Sequence, residues 1–85
     1  MAYRIEYKPS AEREFHALPK EVQRRIRPRI DALALDPRPP GAKKLRGYVN
    51  RWRIRVGDYR VIYEVYDKEL VVLIVKIGHR SDVYE

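Results

Sequence analysis

The run Arg51-Trp52-Arg53-Ile54-Arg55-Val56-Gly57-Asp58-Tyr59-Arg60-Val61-Ile62-Tyr63 constrains the fold more than any other segment. Arginine alternates with apolar residues up to Gly57, the period of two expected of a half-buried strand. Gly57-Asp58 reads as a two-residue turn, and type II′ with glycine first fits it. With that turn, Val56 pairs with Tyr59, Arg55 with Arg60, Ile54 with Val61 and Arg53 with Ile62. Directly paired residues project to the same face of an antiparallel ladder. Arg53, Arg55 and Arg60 therefore share one face, and Trp52, Ile54, Val56, Tyr59, Val61 and Tyr63 share the other.

The remaining elements follow from the same kind of reading. Tyr3, Ile5 and Tyr7 alternate with Arg4, Glu6 and Lys8, which predicts a first strand. Ser10 is a suitable N-cap for a helix carrying Ala11, Phe15 and Leu18. Pro19 ends that helix and can open a second. There Val22, Ile26, Ile30 and Leu33 form one apolar stripe, and Pro28 predicts a kink or a break. Asp36-Pro37 stops the helix, and two helices joined so tightly should pack as a hairpin. Leu70 to Ile77 is apolar on both faces, as an interior strand should be. The expected architecture is α+β in the order β-α-α-β-β-β, with a helical hairpin against a mostly antiparallel sheet.

With 85 residues the chain is expected to form one domain across residues 1–85. Its formal charge of +7 points to a polyanionic partner, and the distribution of charge says more than the total. Ser10 to Asp36 holds six basic and five acidic residues, an ordinary solvated surface. Lys43 to Arg60 holds seven basic residues and one acid, Asp58. No cysteine is present, which removes disulfides, thiolate catalysis and thiolate metal ligands. The two histidines, His16 and His79, are too few for a metal centre without carboxylates, so neither metal nor cofactor is expected. The N-terminal segment lacks an apolar signal region, and no apolar run approaches the roughly 20 residues of a membrane span. A soluble, cytoplasmic protein without a membrane partner is the expectation.

Three guanidinium groups crowded on one sheet face repel one another, a cost more readily tolerated where an anion binds. Arginine suits phosphate because its planar fork donates two parallel hydrogen bonds. The competing reading is a solubility device whose long side chains spread into water. Lys43, Lys44 and Arg46 add to the field as candidate substrate contacts, although alone they describe a solvated loop. Past the last strand, Arg80 offers another cation and Tyr84 a ring for base stacking, or a packing residue near the end. His79 is a candidate general acid or base, with a hydrogen-bonded strand-end residue as its alternative. His16 receives no role, and Trp52, Tyr63 and Tyr66 read as packing.

Gly57-Asp58-Tyr59-Arg60-Val61-Ile62-Tyr63, preceded by Lys44-Leu45-Arg46-Gly47 and followed by Gly78-His79-Arg80 and Val83-Tyr84, resembles the RelE/ParE superfamily of type II toxins. The resemblance covers nearly the whole chain, including Leu18-Pro19 and Asp36-Pro37. RelE-type members are ribosome-dependent endoribonucleases that cut mRNA in the A site, without metal, by attack of a ribose 2′-OH on the adjacent phosphate. The resemblance implies that Arg60 holds the scissile phosphate, Arg80 assists there, and Tyr84 stacks on a base. Arg53 and Arg55 match positions that are lysine in well-known members. Arginine does not readily surrender its proton, so these two would orient and stabilise, leaving His79, or Glu64 as second choice, as base, or else slower catalysis by positioning and charge stabilisation alone.

The resemblance implies a RelB-like antitoxin, a toxin–antitoxin hetero-oligomer, and the ribosome with its mRNA as partners. Two other functions fit the same fold. One is a ParE-like inhibitor of DNA gyrase without catalytic residues. The other is a non-catalytic RNA-binding relic of a toxin.

Overall fold

A computed structural model describes residues 2–83. The elements run β1 (Arg4–Tyr7), α1 (Pro9–His16), α2 (Lys20–Ala32), β2 (Lys43–Lys44), β3 (Arg51–Val56), β4 (Tyr59–Tyr66) and β5 (Val71–His79). They build one five-stranded sheet in the order β1-β5-β4-β3-β2. Only the β1–β5 pairing is parallel; the other three are antiparallel. The expected order therefore holds, with the two-residue strand β2 added to the edge.

Both helices lie on one side of the sheet. Ala11 and Phe15 of α1 and Ile26 and Ile30 of α2 join Leu33 and the sheet residues Ile54, Val56, Val61, Tyr63, Val65, Val72, Ile74 and Ile77 in the main core. This is the predicted apolar stripe meeting the predicted apolar face of the hairpin. The Gln23 side-chain amide donates to the Leu18 carbonyl at 2.8 Å and the His16 carbonyl at 3.3 Å. One α2 side chain thus satisfies carbonyls that the end of α1 leaves open, which holds the two helices together.

Two local expectations give way. Ser10 does not cap α1: the helix begins at Pro9, its N-cap is Lys8, and no side chain bonds the cap. Proline fixes φ near the helical value and lacks the N–H that a cap would satisfy, so the helix starts there. Pro28 does not break α2, which runs on to Ala32. Pro28 and Arg24, whose carbonyl is left without its donor, are both exposed, so water can take the missing bond.

β4 and β5 do not run in uniform register. Ile62 pairs with Lys76 but Tyr63 pairs with Ile74, leaving Val75 as the extra residue of a bulge. Val75 turns away from the helices and packs with a second, smaller cluster of Leu45, Ile62 and Val83. Beyond Ile74 the outer edge of β5 has no β1 partner. There the Glu14 carboxylate accepts the Ile77 N–H and the Lys76 ammonium, both at 3.0 Å. That contact covers a sheet edge that would otherwise stand open.

Candidate nucleic-acid interface

The side of the sheet away from the helices carries the cations. Arg55 lies directly opposite Arg60, and Arg53 opposite Ile62, as the turn predicted. Gly57 has φ +60, and no other residue of that turn has positive φ, which fits type II′. A residue with a side chain at Gly57 would be strained there and would run into the Arg25 guanidinium. Neighbouring strands are about 4.8 Å apart and alternate residues of one strand about 6.7 Å apart. Arg53, Arg55 and Arg60 thus sit within the span of one or two nucleotides.

β2 adds to this group. Lys43 pairs with Arg53, so it points to the arginine face, while Lys44 pairs with Trp52 and points the other way. Arg46 follows in an exposed turn. Arg53 is only 4% exposed, a low value for arginine, whereas Arg55 is exposed. Arg80 enters the same end of the sheet: its N–H donates to the Asp58 carbonyl at 2.8 Å, beside the hairpin tip. Tyr84 lies outside the described residues.

The cationic character stops partway down the face. Arg51 shares the alternation of Arg53 and Arg55, yet it is neutralised by Glu64 at 2.6 Å and lies over the Tyr48 ring. Burial pushes Glu64 up, but hydrogen bonds from Tyr66 and Arg51 and the charge of Arg51 outweigh it and hold the carboxyl below its usual range. Glu64 is four residues from Arg60 along β4, roughly 13 Å. A carboxylate so committed is a poor proton acceptor for chemistry at Arg60. Further out, Arg4 pairs with Glu6, and Glu6, Tyr66, Glu69, Val71 and Leu73 line a concavity of about 440 Å³.

His79 is not part of the arginine group. It pairs with Tyr59, which pairs with Val56, so its ring projects to the helix side of the sheet. The ring stands edge-on to Tyr59, with 5.5 Å between centroids. Its Nδ1 accepts the Ser81 N–H at 3.2 Å and contacts Ser81 Oγ at 2.9 Å. A neutral ring accepting at Nδ1 carries its proton on Nε2. The structure sets this histidine across the sheet from Arg60, where it fits the alternative reading of a hydrogen-bonded strand-end residue.

The packing assignments hold for Trp52 and Tyr63, whereas Tyr66 is exposed. Trp52 lies against the core under the Arg38 guanidinium, and buried Tyr63 donates to the Pro37 carbonyl at 2.7 Å. Tyr66 donates to Glu64 at 2.6 Å. Two contributors were missed from sequence. Gly78 lies opposite Arg60, and Val83 folds back over it. Arg25 reaches the tip from α2. The glycine itself was the available signal for the first, since a strand interior favours glycine where something approaches closely. Among the described residues, no three His, Cys, Asp or Glu side chains converge as a metal site requires, and no helix is long and apolar enough to cross a membrane.

A family model described as the ParE toxin of the type II toxin–antitoxin system parDE matches residues 5–84. The chain belongs to the RelE/ParE family of type II toxins. Among its relatives is the mRNA interferase toxin RelE of Escherichia coli K12, 31% identical over 88 residues, covering 99% of this chain and 92% of that protein. A putative RelE-like toxin protein of Escherichia coli is 32% identical with the same coverage. The fold superimposes on RelE in the archaeal RelE–RelB complex from Pyrococcus horikoshii with a TM-score of 0.83 and 34% identity, covering 98% of this chain and 100% of that one. The intact RelBE toxin–antitoxin complex of Escherichia coli gives 0.82 at 26% identity, covering 92% and 96%.

Proposed function

We propose that this toxin is an endoribonuclease that cuts mRNA in the ribosomal A site, held in check by a RelB-like antitoxin. The observation that carries the reading is the Arg55–Arg60 cross-strand pair, flanked by Arg53 and Lys43 at the hairpin end of the face. Relatives at about this level of identity named mRNA interferases support the reaction class, and RelE–RelB complexes among the structural neighbours support the partner.

In this reaction the ribose 2′-oxygen attacks the adjacent phosphorus as the hydroxyl gives up its proton. The bond from phosphorus to the 5′-oxygen breaks, and that oxygen takes up a proton. The products are a 2′,3′-cyclic phosphate and a free 5′-OH. Negative charge grows on the non-bridging oxygens during the step. Fixed guanidinium groups stabilise it more than they stabilise the starting diester. Arg60 holds the scissile phosphate, Arg53, Arg55 and Lys43 orient the flanking ones, and Arg80 sits beside the leaving oxygen. Tyr84 aligns the base by stacking. His79 has no direct path to the attacking hydroxyl, and Glu64 is tied to Arg51. Positioning and charge stabilisation therefore account for the catalysis assigned to this chain, with proton transfer completed by the ribosome-bound substrate and water.

The test is primer extension on a defined mRNA in a purified translation system, with and without ribosomes, for wild type and Arg60→Ala. Cleavage inside the A-site codon, only on ribosomes and abolished in the variant, is the expected result. Growth arrest without cleavage, accompanied by gyrase-dependent DNA breaks, would instead favour a ParE-like action, which the matching ParE family model keeps in view.

A further inference from the structure

The arginine face has an extension around the hairpin tip. The exposed α2 residues Arg24, Arg25, Arg27 and Arg29 surround the apolar stripe of Ile26 and Ile30. Arg25 and Arg29, four residues apart, share one flank of the helix. Arg27, on the opposite flank, is engaged with Asp31 and lies over Phe15. Arg25 and Arg29 have no ion pair or hydrogen bond among the described residues, although Glu21 is on the same flank and Asp58 is at the tip. The guanidinium of Arg25 lies against Gly57, with Cζ 3.4 Å from where a side-chain carbon at that glycine would stand. Gly57 therefore leaves room for a cation from the helix layer to reach the turn whose other side carries Arg55 and Arg60.

We infer that Arg25 and Arg29 form a second phosphate-binding set, so that an RNA strand engaged on the arginine face continues around the hairpin tip onto the flank of α2. This rests on the arginine face being the RNA site. From Arg60 to Gly57 is three residues, roughly 10 Å along the strand, a distance of one to two nucleotides. A strand that leaves the face over the tip meets Arg25 first and Arg29 one helical turn later, about 6 Å away. The extension predicts a dependence on RNA length, because a short oligonucleotide fills the face and ends before the helix.

The experiment measures binding of uncleavable 2′-O-methyl RNA to the full chain by fluorescence anisotropy over a salt series. A tetranucleotide and a dodecanucleotide are compared. Removing one cation that neutralises a phosphate lowers the log–log salt slope by about 0.7 for single strands. Arg25→Ser/Arg29→Ser should lower the slope by about 1.4 on the dodecanucleotide and leave the tetranucleotide unchanged. Arg25→Lys/Arg29→Lys, which keeps the charge, should restore it. An unchanged slope on the dodecanucleotide overturns the second set, and so does an equal fall on both lengths. Arg55→Ala serves as the separate arm. If it leaves both slopes intact, the arginine face is not the RNA site, and the extension falls with that reading rather than by itself.

Discussion

Val83 occupies the space that a side chain on Gly78 would fill: a Cβ built there would lie 2.9 Å from Val83 Cγ2. Because Gly78 stands opposite Arg60, Val83 is packed directly beside the arginine to which the phosphate is assigned in the proposed reaction. Val83 is 1% exposed and closes the small cluster with Leu45 and Ile62. Gly78→Ala forces Val83 to shift from this position. It should destabilise the protein by about 1–3 kcal/mol, the usual range for overpacking. It should also reduce cleavage by more than the smaller folded fraction explains. Urea melts and turnover measured on the same preparation check this, and an unchanged midpoint would refute the packing argument.

Two tyrosines make opposite predictions for the same substitution. Tyr63 is fully buried and donates to the Pro37 carbonyl, so Tyr63→Phe leaves that carbonyl unpaired, at a cost of about 1–3 kcal/mol. The Tyr7 hydroxyl is buried with no hydrogen-bond partner among the described residues, so Tyr7→Phe should be neutral or stabilising. Burial also pushes the Tyr63 hydroxyl up to about 12, from an ordinary 10.0. Its folded value lies above its unfolded one, so the unfolded chain ionises first. Stability should fall as pH rises from 10 toward 12, and that component should vanish in Tyr63→Phe. Thermal melts of the three proteins at neutral and alkaline pH separate these effects.

Glu64 sets an acid-side dependence. Its folded value lies below the ordinary 4.5, so its contribution is present above that value and disappears as pH falls through the lowered one. Glu64→Gln should be less stable than wild type near neutrality, with the gap closing as acid protonates the carboxylate. Urea unfolding between pH 3 and 7 measures this, and a pH-independent gap would assign the effect to packing instead.

Arg55 should trade stability against binding. It lies opposite Arg60, and like charges directly opposed in a sheet are unfavourable by roughly 0.2–1 kcal/mol. Arg55→Ala should leave stability unchanged or raise it by that amount, while RNA binding and growth arrest weaken. A clear drop in stability would show that Arg55 serves the fold rather than the ligand.

The hairpin was legible because period-two alternation and a glycine turn fix register with no other information. That placed Arg53, Arg55 and Arg60 together correctly. The β4–β5 register was not legible, since β5 is apolar on both faces and its bulge at Val75 upsets any count from Ile74 to Ile77. The face on which His79 projects could therefore not be read from the sequence, and both of its readings stayed open. β2 escaped notice because two residues show no period, and Lys43 needed its pairing with Arg53 to be placed. The Ser10 cap failed for a local reason, as Pro9 starts the helix one residue earlier. Arg25 at the tip comes from tertiary packing between layers, which no local pattern records.

The parallel pairing of β1 with β5 joins Arg4 to Val71, nearly the two ends of the chain. Pairings of such long sequence separation form late, because their loop-closure entropy must be met first. During synthesis the opening strand waits, with its hydrogen-bonding edge unpaired, until β5 has been made. The cationic hairpin of β3 and β4, closed by a two-residue turn, needs no such wait, so the arginines gather before the sheet around them is complete.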